Sequence, residues 1–185
     1  NNEHLLGEHN RQDILFALEA AKHFGVDTAA AERAVEKFSG IEHRMEKVGT
    51  FRGITFYNDC IATIPHAVEC AVEALKNVDT LIFGGMDRGL DYSEFENYLK
   101  KSNIKNLIGT PATGHKICDK IEGAPSKNVY KAANLDEAVK KAYEVTEKGK
   151  ICLLSPAASS YNCYKNFEEK GKHYKKLVRE YGKED

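Results

Sequence analysis

The spacing of apolar residues changes period along the chain. Over residues 10–24, Ile14, Leu15, Leu18 and Ala21 recur at helical intervals, and Gly25 follows as a stop. Asp27 and Thr28 can cap a second helix, with Ala31, Ala34, Val35 and Phe38 on one face and Gly40 beyond its end. Beyond Gly40 the pattern alternates. Residues 53–57, 80–83, 104–108, 129–132 and 150–154 read as strands, the fourth weaker and suited to an edge. The run Thr80-Leu81-Ile82-Phe83 is wholly apolar, as in a strand covered on both faces. Between the strands lie helical stripes: Val68, Ala71 and Leu75 after Pro65, then Phe95 and Leu99 after a Ser93–Glu96 capping box. Ile117, Cys118 and Ile121 follow, and then Leu135, Ala138, Val139 and Ala142 behind an Asn134 cap. A last helix over 165–181 has Phe167, Tyr174, Leu177 and Val178 spaced for packing, and its lysines over 165–176 read as a solvated face.

Strands alternating with helices around apolar central strands predict an α/β fold with a mostly parallel sheet of about five strands and helices on both faces. The two leading helices differ from everything after them. They divide the chain into residues 1–40, which read as the tail of a preceding domain, and residues 41–185. An apolar face on the leading helices is expected to pack on the second unit or on another copy of the chain.

Composition narrows the function classes. In 185 residues, 27 Lys and Arg stand against 28 Asp and Glu, a net charge of −1, which argues against nucleic-acid binding by bulk charge and leaves only a local patch open. No apolar run approaches the ~20 residues of a membrane span, and the polar opening is no secretory signal. Mean hydropathy is −0.52, ordinary for a globular protein in water. Five cysteines at irregular spacing predict reduced thiols in a cytoplasmic protein, with Cys118 and Cys152 as buried small hydrophobes. The seven histidines show no metal-ligand spacing.

Ligands of an open parallel sheet bind beyond the carboxyl ends of its strands. Three such loops are candidates. Residues 58–63 (Asn-Asp-Cys-Ile-Ala-Thr) offer a carboxylate and a hydroxyl, which also suit helix capping by Asp59 and Thr63. In residues 84–89 (Gly-Gly-Met-Asp-Arg-Gly), two glycines permit close approach to a ligand, and Arg88 can fork onto a carboxylate or phosphate or remain solvated. The spacing is not G-x-G-x-x-G. Residues 155–160 (Ser-Pro-Ala-Ala-Ser-Ser) present hydroxyls and free amides before a helix, which suits an anion. At His9-Asn10 the asparagine reads as a helix cap, and at His43-Arg44 the arginine reads as half of a carboxylate pair. The phosphate loop G-x-x-x-x-G-K-[ST] is absent from these residues.

Taken in order, His9-Asn10, residues 39–46 (Ser-Gly-Ile-Glu-His-Arg-Met-Glu), residues 58–63, Gly84-Gly85, Ser155-Pro156-Ala157, residues 165–168 (Lys-Asn-Phe-Glu) and Gly171 resemble the C-terminal portion of a Mur ligase over nearly the whole chain. The likeness is to members that add D-glutamate to UDP-N-acetylmuramoyl-L-alanine. It implies a Rossmann-like domain, preceded by the last helices of an ATP-binding central domain, in an ATP-dependent acid–amino-acid ligase of peptidoglycan synthesis that works through an acyl phosphate. ATP and Mg²⁺ would be held mainly by the rest of that central domain, so these residues alone should be inactive and hold no catalytic residue. The intact enzyme would be a monomer. Contacts to ATP would fall on Asn10, Asp13 (where the family has a second asparagine), His43, Arg44 and Asp59. The D-glutamate site would use Thr63, Arg88 (where the family has lysine), Ser159, Ser160 and Phe167. Cys60-Ile61 replaces a common Ser-Lys, and Asn162 a common acidic residue. Neighbouring readings are another Mur ligase, a folylpolyglutamate synthase-like ligase or a nucleotide-binding module without chemistry.

Overall fold

The computed structural model describes residue 2 and residues 4–183. Two helices, α1 (Glu8–His23) and α2 (Thr28–Lys37), precede strands β1 (Glu46–Phe51) and β2 (Ile54–Asn58). Then come α3 (Pro65–Leu75), β3 (Val78–Phe83), α4 (Ser93–Lys101), β4 (Asn106–Gly109), α5 (Thr113–Ile121), β5 (Asn128–Lys131), α6 (Leu135–Val145), β6 (Ile151–Leu154) and α7 (Phe167–Tyr181). The strands form one sheet in the order β1-β2-β6-β3-β4-β5. Only the β1–β2 pair is antiparallel.

The pleat divides the core in two. Leu81 and Phe83 of β3, Leu107 of β4 and Leu153 of β6 face α3, α4 and α5, where they meet Val68, Phe95, Leu99 and Ile117. Ile82, Ile108, Cys152 and Leu154 face α6 and α7, against Val139, Ala142, Tyr174 and Val178. Cys118 and Cys152 are fully buried, and burial raises their thiols to about 11 and about 12.

The central strand β6 sits between β2 and β3 although it follows both by a long stretch of chain. The helix after β3 covers one face of the sheet and the helix after β6 covers the other. Neighbouring strands whose connections leave in opposite directions open a crevice at their carboxyl ends, and this is where ligands of open α/β sheets settle.

Several local expectations change. β1 is a sixth strand: it pairs with β2 through a two-residue turn in which Arg52 (φ 51) and Gly53 (φ 83) are both left-handed, the geometry favoured in tight hairpins. Ser93 is not the cap of α4; Asp91 accepts from its backbone and hydroxyl instead. α1 begins at Glu8 behind Gly7, so Asn10 lies inside the helix and donates to the Leu6 carbonyl at 2.7 Å. α3 starts at Pro65 with no side-chain cap, which frees Asp59 and Thr63 from that role. Asp27 and Asn134 cap α2 and α6 as expected. Neither α1 nor α2 buries an apolar residue. Leu15, Phe16 and Phe24 remain exposed. No helix among the described residues is long and apolar enough to cross a membrane.

Candidate functional site

The loops after β3 and β6 are laced together at the crevice. The Gly84 amide donates to the Pro156 carbonyl at 2.8 Å and the Met86 amide to the Ser159 carbonyl at 2.7 Å. This close passage fixes the glycine pair. A Cβ on Gly84 (φ 111) would lie 2.2 Å from the Thr110 carbonyl oxygen, and one on Gly85 would lie 2.3 Å from that of Ser159. The glycines therefore admit neighbouring backbone, where the sequence suggested a ligand.

Across the lacing the Arg88 Nη1 donates to Ser159 Oγ at 3.2 Å. Arg88 is otherwise exposed, while Ser159 and Ser160 are each 3 % exposed. Ser160 Oγ is buried and has no hydrogen-bond partner among the described residues. The loop after β2 joins the same rim through the Ala157 amide, which donates to the Ala62 carbonyl at 3.0 Å, one residue before Thr63. Phe167, the first residue of α7, is half-buried and meets His43 edge to face at 5.9 Å. The structure thus brings Arg88 and Ser159 into contact, with Ser160 on the same loop as Ser159, Thr63 on the loop after β2 and Phe167 at the start of α7. The 155–160 backbone is less free than expected, since the Ser155 amide goes to Ile82 and the Ala157 amide to Ala62. No helix follows it directly either, because α7 starts only at Phe167 behind the Asn166 cap. Asn162 holds the Pro111 carbonyl at 2.8 Å. An exposed guanidinium fork beside an orphaned buried hydroxyl is a donor set for carboxylates.

The candidate nucleotide residues divide into two groups. Asn10, Asp13 and Arg44 line a largely apolar cavity of about 420 Å³ between α1, α2 and the segment that follows, with Ile14, Val35 and Phe38 in its walls. Arg44 also borders a second hollow of about 720 Å³ toward β1. His43 and Asp59 lie behind these, 2 % and 3 % exposed. Asp59 accepts from the Met45 amide at 3.1 Å and the Ser155 hydroxyl at 2.7 Å. Burial pushes its carboxyl up to about 6, against those two bonds and the pull of Arg44. It ties the segment entering β1 to the loop leaving β6.

The His43 ring is held at Nδ1, while its Nε2 is buried with no hydrogen-bond partner among the described residues and faces Glu42 at 3.5 Å. Asn58 Nδ2 approaches its Nδ1 at 2.8 Å and Glu46 Oε2 at 3.0 Å, while Asn58 Oδ1 accepts from the Cys60 amide. The imidazole Nδ1 is therefore the acceptor and the ring proton sits on Nε2. Burial lowers the imidazole's affinity for a second proton, opposed by Glu42. A Cβ on Gly171 would come within 2.2 Å of Nδ1, so α7 needs glycine there. Glu42, His43 and Glu46 bring potential metal ligands within 4.8 Å of one another. Lys175 already fills the cationic role, donating to Glu42 at 2.7 Å and Glu46 at 2.8 Å. His43 Nδ1, spent on Asn58, has no lone pair left for an ion.

Two residues of this region escaped the sequence reading. The lysine face of α7 is not wholly solvated, for Lys170 and Lys175 are buried. The signal was present: both lie within the inner stripe defined by Phe167, Tyr174 and Val178.

Comparison with known proteins places the chain in a family. The family model described as "Mur ligase, glutamate ligase domain" matches residues 43–158. A UDP-N-acetylmuramoylalanine–D-glutamate ligase of Caldanaerobacter subterraneus subsp. tengcongensis is 43 % identical over 93 % of this chain and 38 % of its own length. The enzyme of the same name from Oenococcus oeni is 40 % identical over 95 % of this chain and 40 % of its own. The chain thus spans about two-fifths of the curated relatives it matches. Among solved structures, UDP-N-acetylmuramate-alanine ligase MurC of Thermotoga maritima superimposes with a TM-score of 0.66 at 18 % identity, over 95 % of this chain and 39 % of that one. A Mycobacterium tuberculosis folylpolyglutamate synthase complexed with ADP gives 0.66 at 15 % identity, over 98 % of this chain and 41 % of that one. At those identities the superpositions speak for the fold. The family match, which covers the Arg88 turn, the 58–63 loop and the His43–Asp59 scaffold and ends within the 155–160 loop, shows that this chain belongs to the Mur ligases and carries their glutamate ligase domain.

Proposed function

We propose that this chain forms the amino-acid-binding part of an ATP-dependent ligase that joins D-glutamate to UDP-N-acetylmuramoyl-L-alanine. The observation that carries the reading is the Arg88–Ser159 contact at the β3–β6 crevice. A dicarboxylate needs cationic and hydroxyl donors at both ends, and Arg88, Ser159, Ser160 and Thr63 supply them from adjacent strand ends. Identities of 43 % and 40 % to ligases named for D-glutamate favour that amino acid.

On this reading ATP converts the carboxylate of the UDP-linked substrate to an acyl phosphate, which the amine of D-glutamate attacks. What these residues contribute is position. Arg88 and the serines hold the incoming carboxylates so that the amine faces the acyl group, and Phe167 closes the side of the site. Bringing two substrates into register accounts for much of the rate in such reactions. The apolar cavity with Asn10, Asp13 and Arg44 at its rim fits an adenine base: the Asp13 carboxylate can accept from an exocyclic amine, and Arg44 can reach toward phosphate. His43 and Asp59 support that site from behind by fixing the backbone on either side of Arg44. Residues 1–40, with their exposed apolar positions, belong on this reading to the ATP-binding domain. A bound Mg²⁺ would supply charge neutralisation on the phosphates. The carboxylates of Glu42 and Glu46 do not suit it, being taken by Lys175.

The test is phosphate release by the full-length ligase given ATP, UDP-N-acetylmuramoyl-L-alanine and one amino acid at a time. Release with D-glutamate and none with L-glutamate or L-alanine is the expected result. Release with another amino acid only would reassign the substrate.

A further inference from the structure

Among the described residues, Lys170 is a buried charge near the rim that the proposed site leaves unused. It is 4 % exposed, and its Nζ donates to the Gly84 carbonyl at 2.9 Å. An ammonium carries three donors, and among the described residues this is its single acceptor. No carboxylate pairs with it among the described residues; burial lowers its hold on the proton, opposed only by the Cys60 and Cys163 thiols. Its neighbour on the same helix, Lys175, shows the ordinary solution, with two carboxylates around the ammonium. A buried cation without a counter-charge is strongly unfavourable. A tie to one carbonyl could be made by a neutral donor.

Its place in the fold is equally particular. Lys170 lies one turn beyond Phe167 on α7, and the carbonyl it holds belongs to the first residue of the turn that carries Arg88. The same Gly84 donates its amide to the 155–160 loop. One side chain therefore couples α7, the Arg88 turn and the serine loop.

We propose that Lys170 is a positioning residue for an acidic amino acid: it locks the Gly84–Arg88 turn against α7 and keeps an unneutralised positive charge beneath the rim, which an anionic side chain of the substrate completes. This rests on the functional reading above. The charge sits behind the backbone of the turn, so it acts on the substrate through the field in a poorly hydrated site and through the orientation of Arg88.

The experiment compares wild type, Lys170→Met and Lys170→Arg of the full-length ligase. It reads the KM for D-glutamate, the KM for ATP, and the inhibition constant of D-glutamine as the neutral competitor. Lys170→Met is expected to raise the D-glutamate KM at least tenfold, with the D-glutamine constant and the ATP KM within twofold of wild type. Lys170→Arg should stay within about threefold of wild type throughout. An unchanged D-glutamate KM in Lys170→Met, or equal losses for D-glutamate, D-glutamine and ATP, overturns the proposal. If Lys170→Met does not fold, Lys170→Gln retains a donor toward Gly84 without the charge, and a wild-type preference for D-glutamate over D-glutamine in that variant overturns it too. A wild-type enzyme that does not use D-glutamate at all would instead remove the proposed function, before any variant is made.

Discussion

Arg88 and Ser159 lie 71 residues apart in the chain and meet at 3.2 Å only because β3 and β6 are neighbours. Arg88→Ala should therefore raise the KM for the amino acid at least tenfold in the full-length ligase and leave that for ATP within twofold; equal losses would remove Arg88 from the amino-acid site. Asp59 gives a prediction of a different kind. Its carboxyl sits at about 6 instead of 3.8, so the folded protein holds the proton where the unfolded chain has released it. That contribution to stability is present below about pH 4 and is lost as pH rises to about 6, a change of roughly 3 kcal/mol. In Asp59→Asn, Oδ1 can still accept from Met45 and Nδ2 can donate to Ser155, with no proton to lose. Urea unfolding at a series of pH values should show the stability of the variant gaining on wild type between pH 4 and 6 by that amount. A constant difference would mean that Asp59 ionises as freely in the folded protein as in the unfolded one.

At the level of elements, α7 is held by contacts that helix propensity would not suggest. Replacing a solvent-facing helical glycine by alanine ordinarily stabilises by about 1 kcal/mol. At Gly171 the added methyl meets the His43 ring at 2.2 Å, so the sign reverses. Gly171→Ala is expected to lower stability by about 1–3 kcal/mol, as overpacking does, and, by displacing the His43 ring that Phe167 meets, to change the aromatic proton shifts of Phe167. Gly85→Ala, aimed at the Ser159 carbonyl, should destabilise to a similar degree and part Arg88 from Ser159. Which elements the sequence reveals follows from how they are stabilised. β3 and β6 were legible because both faces of each are buried, which demands an apolar run. β1 was not: its residues, Glu-Lys-Val-Gly-Thr-Phe, lie on an edge and are held by a left-handed turn at Arg52-Gly53 that leaves no apolar period. Likewise the strand-end loops could be picked out by their hydroxyls and glycines. The partners of Lys170 and Lys175 could not, because they lie distant in the chain, although both lysines fall within the inner stripe of α7.

For the molecule as a whole, the two core layers and the leading helices should differ in local stability. β3 and β6 are covered on both faces, whereas α1 and α2 bury no apolar side chain. Hydrogen exchange is accordingly expected to be slowest in the amides of β3 and β6 and faster by several orders of magnitude in α1 and α2, which open locally. Uniform protection across all of them would show that the leading helices fold as one unit with the sheet. The position of β6 has a further consequence during biosynthesis. While a ribosome is still making residues 151–154, β2 and β3 have no neighbour to bridge them, and their inward edges expose unpaired amides and carbonyls. The sheet can close only when this late strand slots between them, and the same event brings Ser159 to Arg88. A nascent chain arrested before β6 should thus be a substrate for chaperones and proteases, and the proposed amino-acid site can form only after this late strand is in place.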